Sequence, residues 1–217
     1  GVGMNTGVDD VVNLGWKIAA ALRGEGGEAL LESYETERHP IGVRNVAFAQ
    51  GFADSVGNVE ISPDIGDDTP DAAAERARLR IHFEHHAEFE FIIPGAFLGL
   101  RYESSPVIAY DGMPPPPDHP NVYTPNAIPG GRAPHLWLGE LALFDRLGPD
   151  FTLLRFGGGT ESMGPDIPVL DIDDASAREL YGADYVLVRP DQHVAWRGNT
   201  IDDPAALADI VWGRRGL

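Results

Sequence analysis

An α/β fold is expected for this chain, with a helical amino-terminal part followed by a compact α/β unit. Three observations carry that expectation. Apolar residues recur at helical spacing through the first 60 residues. Short strand-like runs recur after residue 150. A proline-rich stretch, MPPPPDHP at 113–120, lies between them.

The first element opens glycine-rich. In GVGMNTGVDDVVNLGWKIAAALRG, Gly1, Gly3 and Gly7 permit positive φ and close approach to a bound group, so residues 1–7 read as a loop. Asn5 and Thr6 are good N-cap types, and Asp9 and Asp10 suit the first turn of the helix that follows. Val8, Val11, Val12, Ile18, Ala19 and Leu22 give that helix an apolar stripe, and Gly24 stops it. A second helix is expected over 29–38, with Pro40 marking a bend or restart into the apolar stretch 41–59. The charges of SYETERHP, Glu35 and Glu37 beside Arg38, read as a solvated helix face.

Residues 61–128 read as a connector with one clear helix, capped by Thr69, with Pro70 at its first position, and running to about Phe91. Within it, His82 and His86 stand one turn apart, a spacing two metal ligands can share. The H-E-x-x-H wording and a definite third ligand are missing, so this segment reads as a partly exposed polar face and no metal is expected. The proline run reads as a stiff linker.

Residues 129–217 form the α/β unit. Strands are expected at 151–156, 167–172, 185–188 and 193–197, the last two joined as a hairpin across Arg189-Pro190-Asp191-Gln192. A short helix near 176–181 and a last helix capped by Asp203-Pro204 complete the set. That order is thioredoxin-like. Redox exchange on such a fold needs a nucleophilic thiol, typically C-x-x-C, and the chain has no cysteine. Gly157-Gly158-Gly159 lacks a following Lys-Ser/Thr pair and reads as a flexible strand-end loop, not a phosphate cradle. His135 reads as a hydrogen-bonded structural histidine, and Trp137, Trp196 and Trp212 as core in preference to interface anchors.

Composition excludes several classes. A net charge of −18 over 217 residues argues against nucleic acid and anionic membranes. No apolar run approaches a membrane span, no signal peptide pattern is present, and the lack of cysteine is compatible with a cytoplasmic location. No nucleophile elbow or triad order is present, so the catalytic residues are left unassigned.

The literal wording adds a resemblance. GMNTG, then DD-x-x-NLGWK and SYETERHP, then LGLRYESSPVI, PGGRAPHLWL, FTLLRFG and YGADYVLVRPDQHVAWRG follow one another in an order that resembles the FAD-dependent aromatic-ring hydroxylases, the phenol, chlorophenol and polyketide hydroxylases. The resemblance implies that residues 1–60 are a helical remnant of an FAD-binding domain and 129–217 the family's C-terminal thioredoxin-like domain lacking CxxC. It further implies that Gly3, Met4 and Asn5 are flavin contacts through main-chain groups, at the amino end of a helix aimed at the flavin pyrimidine edge. Asp10, Asn13, Trp16 and Lys17 would pack or orient, not react. In such enzymes NAD(P)H reduces FAD and oxygen is transferred to an aromatic small-molecule substrate.

The G-x-G-x-x-G turn and the G-D motif of complete members are absent, and the first residue is not Met, so the chain reads as a C-terminal part, not competent alone, whose partner is the missing N-terminal portion of the FAD domain. The alternative reading is a non-catalytic dimerisation or assembly module, a homodimer included, or one half of a split hydroxylase.

Overall fold

The computed structural model describes residues 2–214. Its helical part begins with α1 (Val2–Arg23) and α2 (Glu28–Gly57), packed as an antiparallel pair. The loop expected over 1–7 is not observed: within the described residues the backbone is helical from Val2, and Gly1 lies outside them. Thr6 is consequently not a cap. Its hydroxyl donates to the Val2 carbonyl one turn back (2.9 Å), the habit of an interior helical threonine. The stop is where it was expected. Gly24, at φ 73°, closes α1 with paired bonds from Glu25 N to Ala20 O and from Gly24 N to Ala21 O, both 3.0 Å.

Pro40 does not break α2, which runs through it as one helix of 30 residues. The missing amide costs one intrahelical bond. Its neighbours on both sides outweigh that cost, because Glu37, Arg38, Ile41 and Asn45 are all buried and tie both halves to the same surroundings. Glu35 is exposed as expected, but Glu37 and Arg38 are not on a solvated face.

α3 (Pro70–Phe91) starts as expected, with Thr69 Oγ1 accepting from Ala72 N (3.2 Å), and lies on the second half of α2 through the edge-to-face pair Phe52–Phe89. After α4 (Pro94–Leu98), the proline-rich run is held against the body. Arg44 reaches Asp118 (2.6 Å) and Arg101 Nη1 donates to Pro116 O (2.9 Å).

The carboxy-terminal part begins with a short antiparallel pair, β1 (Trp137–Leu138) and β2 (Leu141–Ala142), and the single turn α5 (Leu143–Arg146), none of which the sequence predicts. The main sheet has β3 (Thr152–Phe156), β4 (Val169–Ile172), β5 (Tyr185–Val188) and β6 (Val194–Gly198), with α6 (Ala175–Tyr181) and α7 (Pro204–Val211). The order is β4-β3-β5-β6, with β3 and β4 parallel and the other pairs antiparallel, the thioredoxin-like arrangement expected.

Side-chain alternation along β3 and β5 makes two cores. Leu154, Phe156, Val186 and Val188 face α6 and Leu143, while Leu153, Tyr185 and Leu187 face α7 with Phe151, Trp16 and Trp212. The β3–β4 crossover, residues 157–168, is not helical, and Gly157 and Gly158 take positive φ at its start. Close backbone approach joins the two parts: a Cβ on Gly27 would fall onto Gly213, whose carbonyl neighbour Trp212 O accepts from Gly27 N (2.8 Å). No helix among the described residues is long and apolar enough to cross a membrane.

Candidate functional site

The first turns of α1 present Gly3, Met4 and Asn5 to solvent. Met4 is 76% exposed, and a Cβ on Gly3 would touch nothing. The three residues carried over from the resemblance therefore form one open patch, free of this chain's own side chains on the Gly3 side, with room for a planar group to lie on the backbone.

Behind the patch the helix is gripped. Arg38 Nη2 donates to the Thr6 carbonyl (3.3 Å), Arg38 Nε to Asp10 (2.7 Å), and Asn45 Nδ2 to the Thr6 hydroxyl (2.9 Å). One turn deeper lies a closed cluster of buried charge. Glu37 accepts from Lys17 (2.7 Å), Asn13 (2.6 Å), Ser105 (2.5 Å) and both terminal nitrogens of Arg189 (2.6 and 2.9 Å). The same guanidinium reaches Asp191 through Nε (3.0 Å) and Nη2 (2.5 Å), and its plane lies between Trp16 and Tyr102, each ring centre 5.2 Å away. Tyr102 stacks on His193 at 4.4 Å.

Lys17 and Arg189 balance Glu37 and Asp191, so the cluster is neutral as a whole. Its titration reflects that closure. Burial pushes the Glu37 carboxyl up, but the charge and hydrogen bonds of Arg189, then Lys17, outweigh it and hold the group at about 2. Asp191 is likewise driven well below the usual carboxylate range, Arg189 overcoming the effect of burial. Lys17 goes the other way: burial, then repulsion from Arg189, brings it down to about 8 against the pull of Glu37.

Asp10, Asn13, Trp16 and Lys17 are thus packing and orienting groups, as the resemblance implies. The sequence reading missed Arg189, Asp191, Tyr102 and Ser105, and it misplaced Glu37 and Arg38. A signal existed for Glu37 alone: it stands seven residues after Leu30 and four before Ile41, both buried, on the stripe that carries α2 into the core. Beside the cluster, a cavity of about 480 Å³ opens between Asn5, Asp9, Arg38, Arg132 and His193.

Other sequence candidates are not drawn together. His82 Nε2 pairs with Ser55 O (2.8 Å) and His86 with Glu90 (2.7 Å), and no group of three or more potential metal ligands exists among the described residues. His135 is exposed and packs edge-on to Trp137 in place of the expected hydrogen bond, and Trp137 itself is exposed. Trp196 and Trp212 lie half-buried against the α7 core, as expected of core aromatics.

Two family descriptions match the chain. Residues 1–49 match the FAD binding domain, and residues 126–212 match the C-terminal domain of aromatic-ring hydroxylases. Over these two segments the chain is similar to the aromatic-ring hydroxylases. Similar proteins include the FAD-dependent monooxygenase opdD of Penicillium oxalicum, 35% identical over 93% of this chain and 42% of that protein. The phenol 2-monooxygenase of a Pseudomonas species is 30% identical over 98% of this chain and 42% of its own length. Among solved structures, the rebeccamycin biosynthetic enzyme RebC with reduced flavin superposes with a TM-score of 0.86 at 33% identity, over 99% of this chain and 42% of that one. The chain spans about two fifths of the length of these relatives.

Proposed function

We propose that the protein to which this chain belongs is a cytoplasmic flavin-dependent monooxygenase that hydroxylates a phenolic or polyketide ring, using FAD, NAD(P)H and O2. The chain supplies the helix whose first turn, Gly3, Met4 and Asn5, lies against the flavin through its backbone. Residues 1–60 are the closing helices of the flavin domain, 61–128 a connector, and 129–217 the C-terminal domain. The observation that carries the reading is the open patch at Gly3 within the segment matching an FAD binding domain.

When bound, the flavin supplies oxygen activation and transfer. This chain's residues orient its pyrimidine edge and help keep water from it. By itself the chain does not turn over, because the strand and G-x-G-x-x-G turn for the ADP half lie outside it.

The exposed apolar stripe of α1, Met4, Val8, Val11, Ile18 and Leu22, supports an additional segment of the flavin domain seated on that face. The same stripe suits the second reading, a split hydroxylase whose other half is a separate polypeptide, and the intact mass of the purified material distinguishes the two.

The cofactor reading is tested with Gly3→Leu in the full-length protein, with Gly42→Leu as control, since both positions are open in this chain. Gly3→Leu should purify without the flavin bands and Gly42→Leu with them. Full flavin occupancy in Gly3→Leu would refute the assignment.

A further inference from the structure

We propose that Arg38 and Asn45, both on α2, are positioning residues for the flavin, fixing the height and rotation of the α1 turn that carries Gly3, Met4 and Asn5. The inference rests on the reading that this turn meets the cofactor.

The geometry singles out Thr6 as the point of attachment. Its carbonyl accepts from Arg38 Nη2 (3.3 Å), and its hydroxyl accepts from Asn45 Nδ2 (2.9 Å) while donating to Val2 O (2.9 Å). Gly3, Met4 and Asn5 are therefore suspended between Val2 and Thr6, and both ends of that span are tied through one side chain to α2. Arg38 suits the task because its planar fork serves three acceptors in three directions: Thr6 O, Asp10 (2.7 Å) and Tyr102 Oη (3.4 Å). A lysine, with one nitrogen, cannot span them. Arg38 is 4% exposed, so its bonds are made away from competing water.

The anchor itself is anchored. Glu37, the next residue, is bound by Arg189 from the carboxy-terminal hairpin and by Ser105 from the connector. The position of the flavin-facing turn is thereby referred to the C-terminal domain through two adjacent residues of one helix. A contact that merely stabilised the helix pair would not need to reach the Thr6 hydroxyl and carbonyl from two separate turns of α2.

The test uses the full-length holoprotein with Arg38→Lys, Asn45→Ala, Thr6→Val and Thr6→Ser. The readouts are FAD dissociation, the visible spectrum, the flavin midpoint potential and thermal unfolding of holo and apo forms. Arg38→Lys should weaken FAD binding about tenfold and shift both spectrum and potential, the scale of one charged hydrogen bond lost. Asn45→Ala and Thr6→Val should each weaken it about threefold, and their combination no further, as one shared bond requires. Thr6→Ser should behave as the parent.

Lower melting temperatures with unchanged FAD affinity, spectrum and potential would make these contacts structural only and overturn the proposal. Thr6→Val, nearly isosteric, keeps the test open if Arg38→Lys fails to fold. If Gly3→Leu retains flavin, the underlying reading fails. If Gly3→Leu loses flavin while the Arg38, Asn45 and Thr6 variants keep it unaltered, only the positioning role fails.

Discussion

The α1–α2 pair and the β3–β6 sheet are built on opposite plans. The sheet buries an apolar interior on both faces, Leu154, Phe156, Val186 and Val188 on one side and Leu153, Phe151 and Leu187 on the other. The helix pair buries Asn13, Lys17, Ser33, Glu37, Arg38 and Asn45, and turns Val8, Val11, Ile18 and Leu22 outward, Leu22 being 84% exposed. The sheet has found its apolar partners within this chain. The helix pair has set polar attachments among a few buried apolar residues, Ala20, Leu30, Ile41 and Phe52, and leaves an apolar stripe of α1 turned outward. A hydrophobic face marks where burial is required, and not which neighbour provides it.

The contrast is broken most sharply at Arg189. Replacing it with Met leaves Glu37 and Asp191 buried without their shared cation, and about 3–5 kcal/mol of stability should be lost in urea unfolding of this chain. Leu154→Ala, which opens a void in the sheet core, should cost about 2–5 kcal/mol, the ordinary cost of a cavity. A loss at Arg189 of under 1 kcal/mol would mean that the cluster is solvated and that the two regions do not differ as described.

The cluster also sets a pH window. Arg189 and Lys17 hold the Glu37 carboxyl at about 2, below its ordinary value of 4.5. Its folded-state pKa is depressed, so its contribution is complete above about pH 4.5 and is lost as pH falls toward 2. The shift corresponds to roughly 3 kcal/mol. Unfolding free energies measured from pH 6 to pH 2 should decline across that interval. In Glu37→Gln this part of the decline should be missing, from a lower starting stability.

Pair coupling gives a finer measure. Lys17→Met and Glu37→Gln, combined in a double-mutant cycle, should show an interaction of about 1–3 kcal/mol, because losing Glu37 strands the Lys17 ammonium, whereas Glu37 without Lys17 keeps Arg189. The smallest effect belongs to the outward stripe. Val11→Gln and Leu22→Gln should change the stability of this chain by no more than about 0.5 kcal/mol. The same substitutions in a full-length protein should cost more. Equal, negligible effects in both contexts would show that the stripe is never covered.

Much of this architecture was legible in the sequence because its cues are local. The strands of the carboxy-terminal sheet, the Arg189–Gln192 turn, the caps at Thr69 and Asp203 and the glycine stop at Gly24 all depend on residues within a turn or two of each other. The resemblance in wording supplied the family and the Gly3–Asn5 patch. The readings that failed share one cause, a decision made at long range. Pro40 announces a break that two buried flanks override, and Gly3 and Gly7 announce a loop where a helix forms. SYETERHP has the composition of a surface, yet Ser33, Glu37 and Arg38 within it are buried.

The sequence by itself determined the fold class, the element order, the absence of thiol chemistry and the family that the chain resembles. Only the tertiary structure decided that Glu37 meets Arg189, 152 residues away. It alone decided that Thr6 is held by Arg38 and Asn45, and that the apolar side of α1 faces outward. Secondary structure follows from near-neighbour sterics and hydrogen bonding. The pairing of buried charges depends on which distant partners arrive together to meet the cost of taking them out of water.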